Sequence, residues 1–291
     1  MRNRIGMAAI GTTPVEDRVW IVTGASSGIG KATATGLARL GGTVVLACRD
    51  QGRGEAAQRE VVEQSKNPHV TLMLVDLASQ ASIIAFADQF TKDYGRLDAL
   101  VNNAGVYTNE RRTTVDGLEE QFAVNYLSGF LLSHLLLDLL IASAPSRIVN
   151  VSSSAHKGAS IHFEDLQGET KYRGPRAYGQ SKLAQVLFTA EFARRLAGTG
   201  VTVNACHPGV IKTNLGGTAS AIFRFVRMFF KSPAKGAETP VFLVASPSVS
   251  TLTGQYFADR RVKPPSRAAQ DPYTARRLYD VSVKLAGLGT E

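Results

Sequence analysis

Short apolar, β-branched runs alternate along this chain with longer segments in which apolar residues recur every three or four positions. Val19–Thr23, Thr43–Cys48, Val70–Val75, Leu97–Asn102, Arg147–Ser152 and Val201–Cys206 read as strands, with a seventh at Gln255–Ala258. Gly30–Leu40, Ser79–Tyr94, Leu118–Ile141 and Tyr178–Leu196 carry the helical period. Strands apolar on both faces and separated by helices predict a parallel sheet built from right-handed crossovers. No repeat, low-complexity tract or linker breaks the pattern. The 291 residues therefore predict one α/β domain over 18–291, a doubly wound seven-stranded parallel sheet after an N-terminal extension at 1–17.

Composition changes little in this picture. With 44% hydrophobic and 20% charged residues the chain can bury a sizeable core. No run reaches the roughly 18 apolar residues of a membrane-spanning helix. The longest candidate, Phe130–Ile141, is shorter and carries His134 and Asp138; its apolar face reads as core or a subunit contact. The first eleven residues are too weakly apolar for a secretory signal, so a cytoplasmic protein is expected. Cys48 and Cys206 match no metal-ligand spacing and each ends an apolar run, which predicts buried thiols. The net charge of +9 fits an anionic cofactor, an acidic membrane face or nucleic acid. The basic residues are scattered rather than striped, which disfavours nucleic acid.

The first strand runs into Gly24-Ala25-Ser26-Ser27-Gly28-Ile29-Gly30, where a helix opens. Gly24 permits a tight turn, Gly28 lets the backbone approach a pyrophosphate, and Gly30 allows close helix–strand packing. Free backbone N–H groups at the positive helix end favour phosphate, so this is a Rossmann-type dinucleotide site. The second strand ends Ala47-Cys48-Arg49-Asp50. An acid here would suit the ribose hydroxyl of NAD, and an arginine the 2′-phosphate of NADP. Arg49 favours NADP, with Lys31 adding positive field. Asp50 as a ribose-binding acid keeps NAD open.

Tyr178 and Lys182 stand at i and i+4, on one face of a helix. A neighbouring ammonium favours the phenolate and is expected to lower the tyrosine pKa, which suits a proton donor to an alkoxide. A strand ends in Val151-Ser152-Ser153-Ser154 and projects hydroxyls at the edge where such sheets bind ligands. Spacing alone leaves the three serines undecided. Asn102 reads as satisfying backbone groups at its strand end. His156, His162 and His207 lack both a nucleophile elbow and ligand spacing, and read as structural or pocket-lining rather than metal-binding.

In order along the chain, Thr23–Gly30, Asn102-Asn103-Ala104-Gly105, Asn125, the serine strand and Tyr178…Lys182 resemble the short-chain dehydrogenase/reductase family. The likeness covers essentially the whole chain. It is nearest the retinol dehydrogenase-like branch through Leu46–Asp50, Ile161–Phe163, Asp165–Gly168, Cys206–Gly209 and Arg276–Ser282. The resemblance implies hydride transfer between a nicotinamide and a lipophilic carbonyl or alcohol. It assigns Tyr178 as acid–base, Lys182 to tuning it and holding the nicotinamide ribose, Ser153 to the reacting oxygen, and Asn125 to a water linking Lys182 to solvent. It further implies Gly24, Ser26, Ser27, Gly28, Ile29 and Gly30 at the pyrophosphate. Asp76 and Leu77 fall beside adenine, Asn103, Ala104 and Gly105 along the cofactor, and Pro208, Gly209 and Thr213 near the nicotinamide. Ser153 and Tyr178 stand 25 positions apart, more than in the shorter members and as in this branch.

Two other classes stay open on the same fold: a non-catalytic NADP-sensing protein, and a membrane-surface protein using Phe223–Phe230. The segment 215–239, bracketed by Gly216, Gly217 and Pro233, reads either as a mobile apolar cover with a basic outer face or as a helix packed on the core. A homodimer is compatible with these features, and none of them specifies it.

Overall fold

Val19, Ile21 and their neighbours on alternate faces explain the architecture. In β1 (Val19–Thr23) every residue is buried: Val19 and Ile21 face one apolar layer, Trp20 and Val22 the other. A strand covered on both sides needs helices on both sides. The computed structural model describes residues 14–208 and 232–289 and arranges them in this way.

The sheet runs β3-β2-β1-β4-β5-β6-β7-β8. Here β2 is Thr43–Cys48, β3 Val70–Leu74, β4 Ala99–Asn102, β5 Ser146–Val151, β6 Val201–His207 and β7 Tyr256–Ala258. These seven are parallel, as the sequence predicts. An eighth strand not expected from sequence, β8 (Arg261–Val262), pairs antiparallel on the far edge. It follows directly on β7 through Asp259 and Arg260, both at positive φ.

One layer consists of α1 (Gly28–Ala38), α2 (Gln51–Ser65) and a helix at Pro233–Ala245. The other holds α3 (Gln80–Asp93), α4 (Glu120–Phe122), α5 (Ser128–Leu135), α6 (Leu137–Ala142), α7 (Gly174–Arg195) and a C-terminal helix at Pro272–Leu285. Among the described residues the two helices that follow α7 are α8 (Pro233–Ala245) and α9 (Pro272–Leu285). The second layer centres on Phe130, whose ring meets Tyr126, Phe188 and Tyr279. Burying such a side chain stabilises the fold by about 2–3 kcal/mol. The face of Phe130–Ile141 is thus core. His134 stacks in the same cluster, its two ring nitrogens engaged by the Phe130 carbonyl and the Tyr279 hydroxyl.

The expected single helix over Leu118–Ile141 is not continuous. A π turn occupies Ala123–Leu127, and Leu136 at φ −100°, ψ 8° separates α5 from α6. The expected cover at 215–239 lies outside the described residues as far as Lys231, together with Gly209, Gly216, Gly217, Thr213 and Phe223–Phe230. Its remainder is Ser232, the N-cap of α8, and that helix's first turns, where Gly236, Ala237 and Thr239 are buried. Pro233 sits at N1, a position that tolerates proline because its missing N–H has no partner there in any helix. Among the described residues no helix is long and apolar enough to cross a membrane, and no group of acids, histidines and cysteines could hold a metal. Both cysteines are free and buried, and burial pushes Cys48 up to about 11 and Cys206 up to about 12.

Candidate active site

The chain leaves β1 toward β2 on one side and returns through β4 on the other. The carboxyl ends of β1 and β4 therefore diverge, and ligands bind in this fold at such a switch point. A cleft of about 470 Å³ opens there. It is lined by Gly24, Ser26, Ser27, Ile29 and Gly30 from the glycine turn, Arg49 and Arg53 beyond β2, Asp76 and Leu77 beyond β3, and Asn103 to Val106 beyond β4.

Each glycine of the turn has its own reason. Gly24 and Gly28 take φ +65° and +57°, where an L side chain is strained. A Cβ at Gly28 would meet nothing, so its backbone faces open space. A Cβ at Gly30 would collide with the Gly24 carbonyl. The Ser27 side chain does not cap α1, leaving the first N–H groups of that helix directed at the cleft. Across from them Thr23 clasps the loop after β4. Its hydroxyl accepts from the amides of Asn103 (2.9 Å) and Ala104 (3.0 Å), and Asn103 Nδ2 donates to its carbonyl (2.8 Å).

At the β2 end Arg49 and Asp50 have different surroundings. The Asp50 carboxylate is the N-cap of α2 and accepts from the Arg53 amide at 2.8 Å. Arg49 is exposed along the cleft, and Arg53, one helical turn away, lines it too. Lys31 does not add free charge as expected, because it pairs with Glu60 of α2. Asn102 also departs from expectation. It bonds side chains, donating to Ser133 Oγ and Asn150 Oδ1, and so bridges β4 to α5 and β5.

The three serines are separated by their partners. Ser152 Oγ donates to the Lys182 carbonyl at 2.8 Å, which spends it on α7. The Ser154 amide donates to His207 Nδ1 (3.3 Å) as the chain turns away. Ser153 caps that turn, its Oγ accepting from the Ala155 amide at 3.2 Å, and it is the side chain that opposes the upward shift of the Tyr178 phenol. Tyr178 and Lys182 lie in the first half of α7, whose N-terminus presses on the loop after β4 so closely that a Cβ at Gly174 would strike the Thr108 carbonyl.

The proton affinities run against the sequence expectation. Burial pushes the Tyr178 phenol up, opposed by the Ser153 hydrogen bond. Lys182 Nζ stands 5.6 Å from the Tyr178 ring centroid and donates instead to the Val151 carbonyl (3.1 Å) and Gln185 Oε1 (3.0 Å). Burial brings Lys182 itself down to about 8.

Asn125 sits in the π turn. Its Oδ1 accepts from the Val106 amide (2.6 Å), and Nδ2 donates to the Val106 carbonyl and to Ser181 Oγ (both 3.0 Å). Both amide hydrogens are committed, so a water can reach only the second lone pair of Oδ1 or the backbone. A Cβ at Gly105 would lie 3.4 Å from Asn125 Oδ1 and 3.5 Å from Lys182 Nζ, which places that glycine where the cleft meets the Tyr–Lys pair. Pro208 lies beside α8, its carbonyl 3.5 Å from where a Gly236 Cβ would stand.

Residues not singled out in the sequence complete the site. Arg53 depends on an α2 that the hydropathy pattern does not announce. Tyr107 packs edge-on to Tyr178, with centroids 5.7 Å apart and planes at 73°. Buried Glu119, with Tyr172 and Gln121, ties Thr108 to Gly174 and so braces the start of α7.

A family model described as short chain dehydrogenase matches residues 18–221. Retinol dehydrogenase 13 of Mus musculus is 47% identical over 97% of this chain and 88% of its own length. Retinol dehydrogenase 14 of Homo sapiens is 43% identical, covering 92% and 86% respectively. Among solved structures, an uncharacterised protein from Mycobacterium paratuberculosis superposes with a TM-score of 0.77 at 35% identity, covering 93% of each chain. The RhlG/NADP complex of Pseudomonas aeruginosa gives 0.64 at 26% identity, over 85% of this chain and 97% of that one. The glycine turn, the Ser153–Tyr178–Lys182 cluster and these relatives agree: the chain belongs to the short-chain dehydrogenase family, in its retinol dehydrogenase-like branch, and is an oxidoreductase acting on CH–OH groups.

Proposed function

We propose that the protein moves a hydride between NADP(H) and a lipophilic aldehyde, ketone or alcohol. The cofactor choice rests on one observation: Arg49 lies along the cleft with no partner among the described residues, while the Asp50 carboxylate is spent capping α2. A planar guanidinium suits a phosphate dianion bidentately, and Arg53 adds a second cation on the same side. The likeness of this fold to that of the RhlG/NADP complex is consistent with the choice. The substrate class follows the retinol dehydrogenases that the chain resembles.

The cleft fits a dinucleotide. Gly24, Ser26, Ser27, Gly28, Ile29 and Gly30 offer uncapped amides and an unobstructed backbone to a pyrophosphate. Asp76 and Leu77 border the adenine side, and Asn103, Ala104 and Gly105 lead toward Tyr178. Pro208, Gly209 and Thr213 are assigned to the nicotinamide end, the last two outside the described residues. When bound, the nicotinamide supplies or accepts the hydride. The chain's own work is proton transfer and orientation. Tyr178, kept protonated by burial, gives its proton to the developing alkoxide, and in the reverse direction takes it back. Ser153 donates to the same oxygen and stabilises the charge that forms there. Lys182 holds the ribose and Asn125 braces the loop that carries Gly105.

Titration of NADPH and NADH by fluorescence tests the assignment. Arg49→Ala should weaken NADPH about ten- to a hundredfold, the loss of one charge-assisted contact of about 1.5–3 kcal/mol, and leave NADH nearly unchanged. Equal losses for both cofactors, or a wild-type preference for NADH, would remove the assignment.

A further inference from the structure

We infer that His156 is a positioning residue for Ser153, a neutral imidazole that fixes the serine's backbone and ties it to the turn at Ser266. The inference rests on the oxidoreductase reading of the site. His156 is fully buried outside the cleft, in the turn that follows β5. Its own amide (3.2 Å) and its ring Nδ1 (2.7 Å) both reach the Ser153 carbonyl. Two contacts from one residue onto one oxygen set the orientation of the Ser153 peptide, and with it the place of the side chain that acts on the Tyr178 phenol.

The tautomer follows from the partner on the other side. The Ser266 amide donates to His156 Nε2 at 3.2 Å, and an amide can only donate. Nε2 is therefore the bare nitrogen and Nδ1 carries the proton toward Ser153. The ring packs at 4.8 Å on Tyr256 of β7, which removes room for another rotamer. A residue 110 positions further along the chain thus helps hold the serine.

The groups facing the ring make its charged form costly. Burial lowers its pKa, the Ser153 hydrogen bond opposes that in part, and the Lys157 ammonium lowers it further. The Tyr256 hydroxyl is held protonated by burial, and α7 meets the turn through uncharged Gly179. Protonating Nε2 would set two donors, its own N–H and that of Ser266, against each other. The ring's tie to Ser266 is therefore present through the ordinary histidine range and is lost only as pH falls below it, while Nδ1 keeps its donor toward Ser153.

Three variants test this. In His156→Leu, kcat for a retinal-type aldehyde should fall roughly ten- to a hundredfold, since a small misplacement of a catalytic group costs that much, while NADPH affinity is unchanged. His156→Asn, whose amide can still donate to the Ser153 carbonyl, should recover most of that loss and lack the acid limb of the wild-type kcat profile. His156→Gln, whose amide carbonyl can accept from Ser266 while its NH2 lies too far along the side chain to replace Nδ1 at Ser153, should resemble His156→Leu. A His156→Leu protein with wild-type kcat, or a folded His156→Asn as poor as His156→Leu, overturns the inference. Nitrogen NMR of the labelled histidine gives an arm independent of turnover. A proton on Nδ1 supports the inference even if a variant fails to fold or no carbonyl is reduced, and a proton on Nε2 refutes it. Absence of any wild-type turnover would instead fall on the reading of the site.

Discussion

Tyr178 and Lys182 share a helical face, yet the simple idea that one charges the other does not describe the free protein. Burial penalises the charged form of each, which raises a phenol and lowers an amine. Lys182 spends two of its three donors on Val151 and Gln185, and Ser153 is the group that acts on the phenol. The linkage has a definite sign. With a folded pKa of about 8 against 10.5 unfolded, the unfolded chain binds more protons in that window, so this residue's contribution to stability rises with pH. Below about 8 the cost of keeping Lys182 charged is fully present, about 3 kcal/mol. Lys182→Met has no such titration. Urea unfolding of both proteins, at about pH 7 and about pH 10, should show the stability difference moving in favour of the wild type by a few kcal/mol. A difference independent of pH would mean that burial does not suppress the ammonium. At this scale the sequence shows the Tyr–Lys pair and the serine run, but not the choice among the serines. Ser152 is excluded only because Lys182's carbonyl comes within 2.8 Å of it, and that contact spans 30 positions.

Among the elements, the strands are the most legible. β1 and β2 begin and end where their apolar runs do, because strands buried on both faces leave no polar position to blur the boundary. Leu118–Ile141 misleads for the opposite reason. Its apolar period continues across the π turn, and the turn depends on Asn125 being drawn to Val106, a tertiary bond with no signature in hydropathy. Arg53 escapes notice because α2 is polar on most faces and its start is marked only by the Asp50 cap. The glycine turn separates two effects that a motif merges. Gly28→Ala has room for its methyl and should cost about 1–2 kcal/mol for the positive φ, leaving a folded protein with weakened cofactor binding. Gly30→Ala drives a methyl into the Gly24 carbonyl and must displace α1 from β1, so it should lower the thermal midpoint further and abolish cofactor binding. Circular dichroism melts with fluorescence titration rank the two, and a Gly30→Ala protein as stable and as competent as Gly28→Ala would contradict this difference in packing.

The whole molecule brings the site together by topology rather than by sequence neighbourhood. β1 supplies the phosphate turn, β4 the Asn103–Gly105 strip, β5 the serine and α7 the Tyr–Lys pair, and only the reversal of strand order beside β1 makes their ends converge. The alternation of strands and helices predicts that sheet; the two-residue β8 escapes because its Arg-Val pair is too short to show a period. Hydride transfer at this convergence, with Tyr178 as the proton donor, is the central claim. The most direct test follows NADPH absorbance while the purified protein meets a panel of aldehydes running from small to retinal-like, with Tyr178→Phe in parallel. The expected result is steady NADPH consumption by the wild type, and a variant that binds NADPH normally while turning over about a hundredfold or more slowly. Near-normal turnover by Tyr178→Phe, or a folded wild type that binds NADPH and reduces none of the aldehydes, would contradict it.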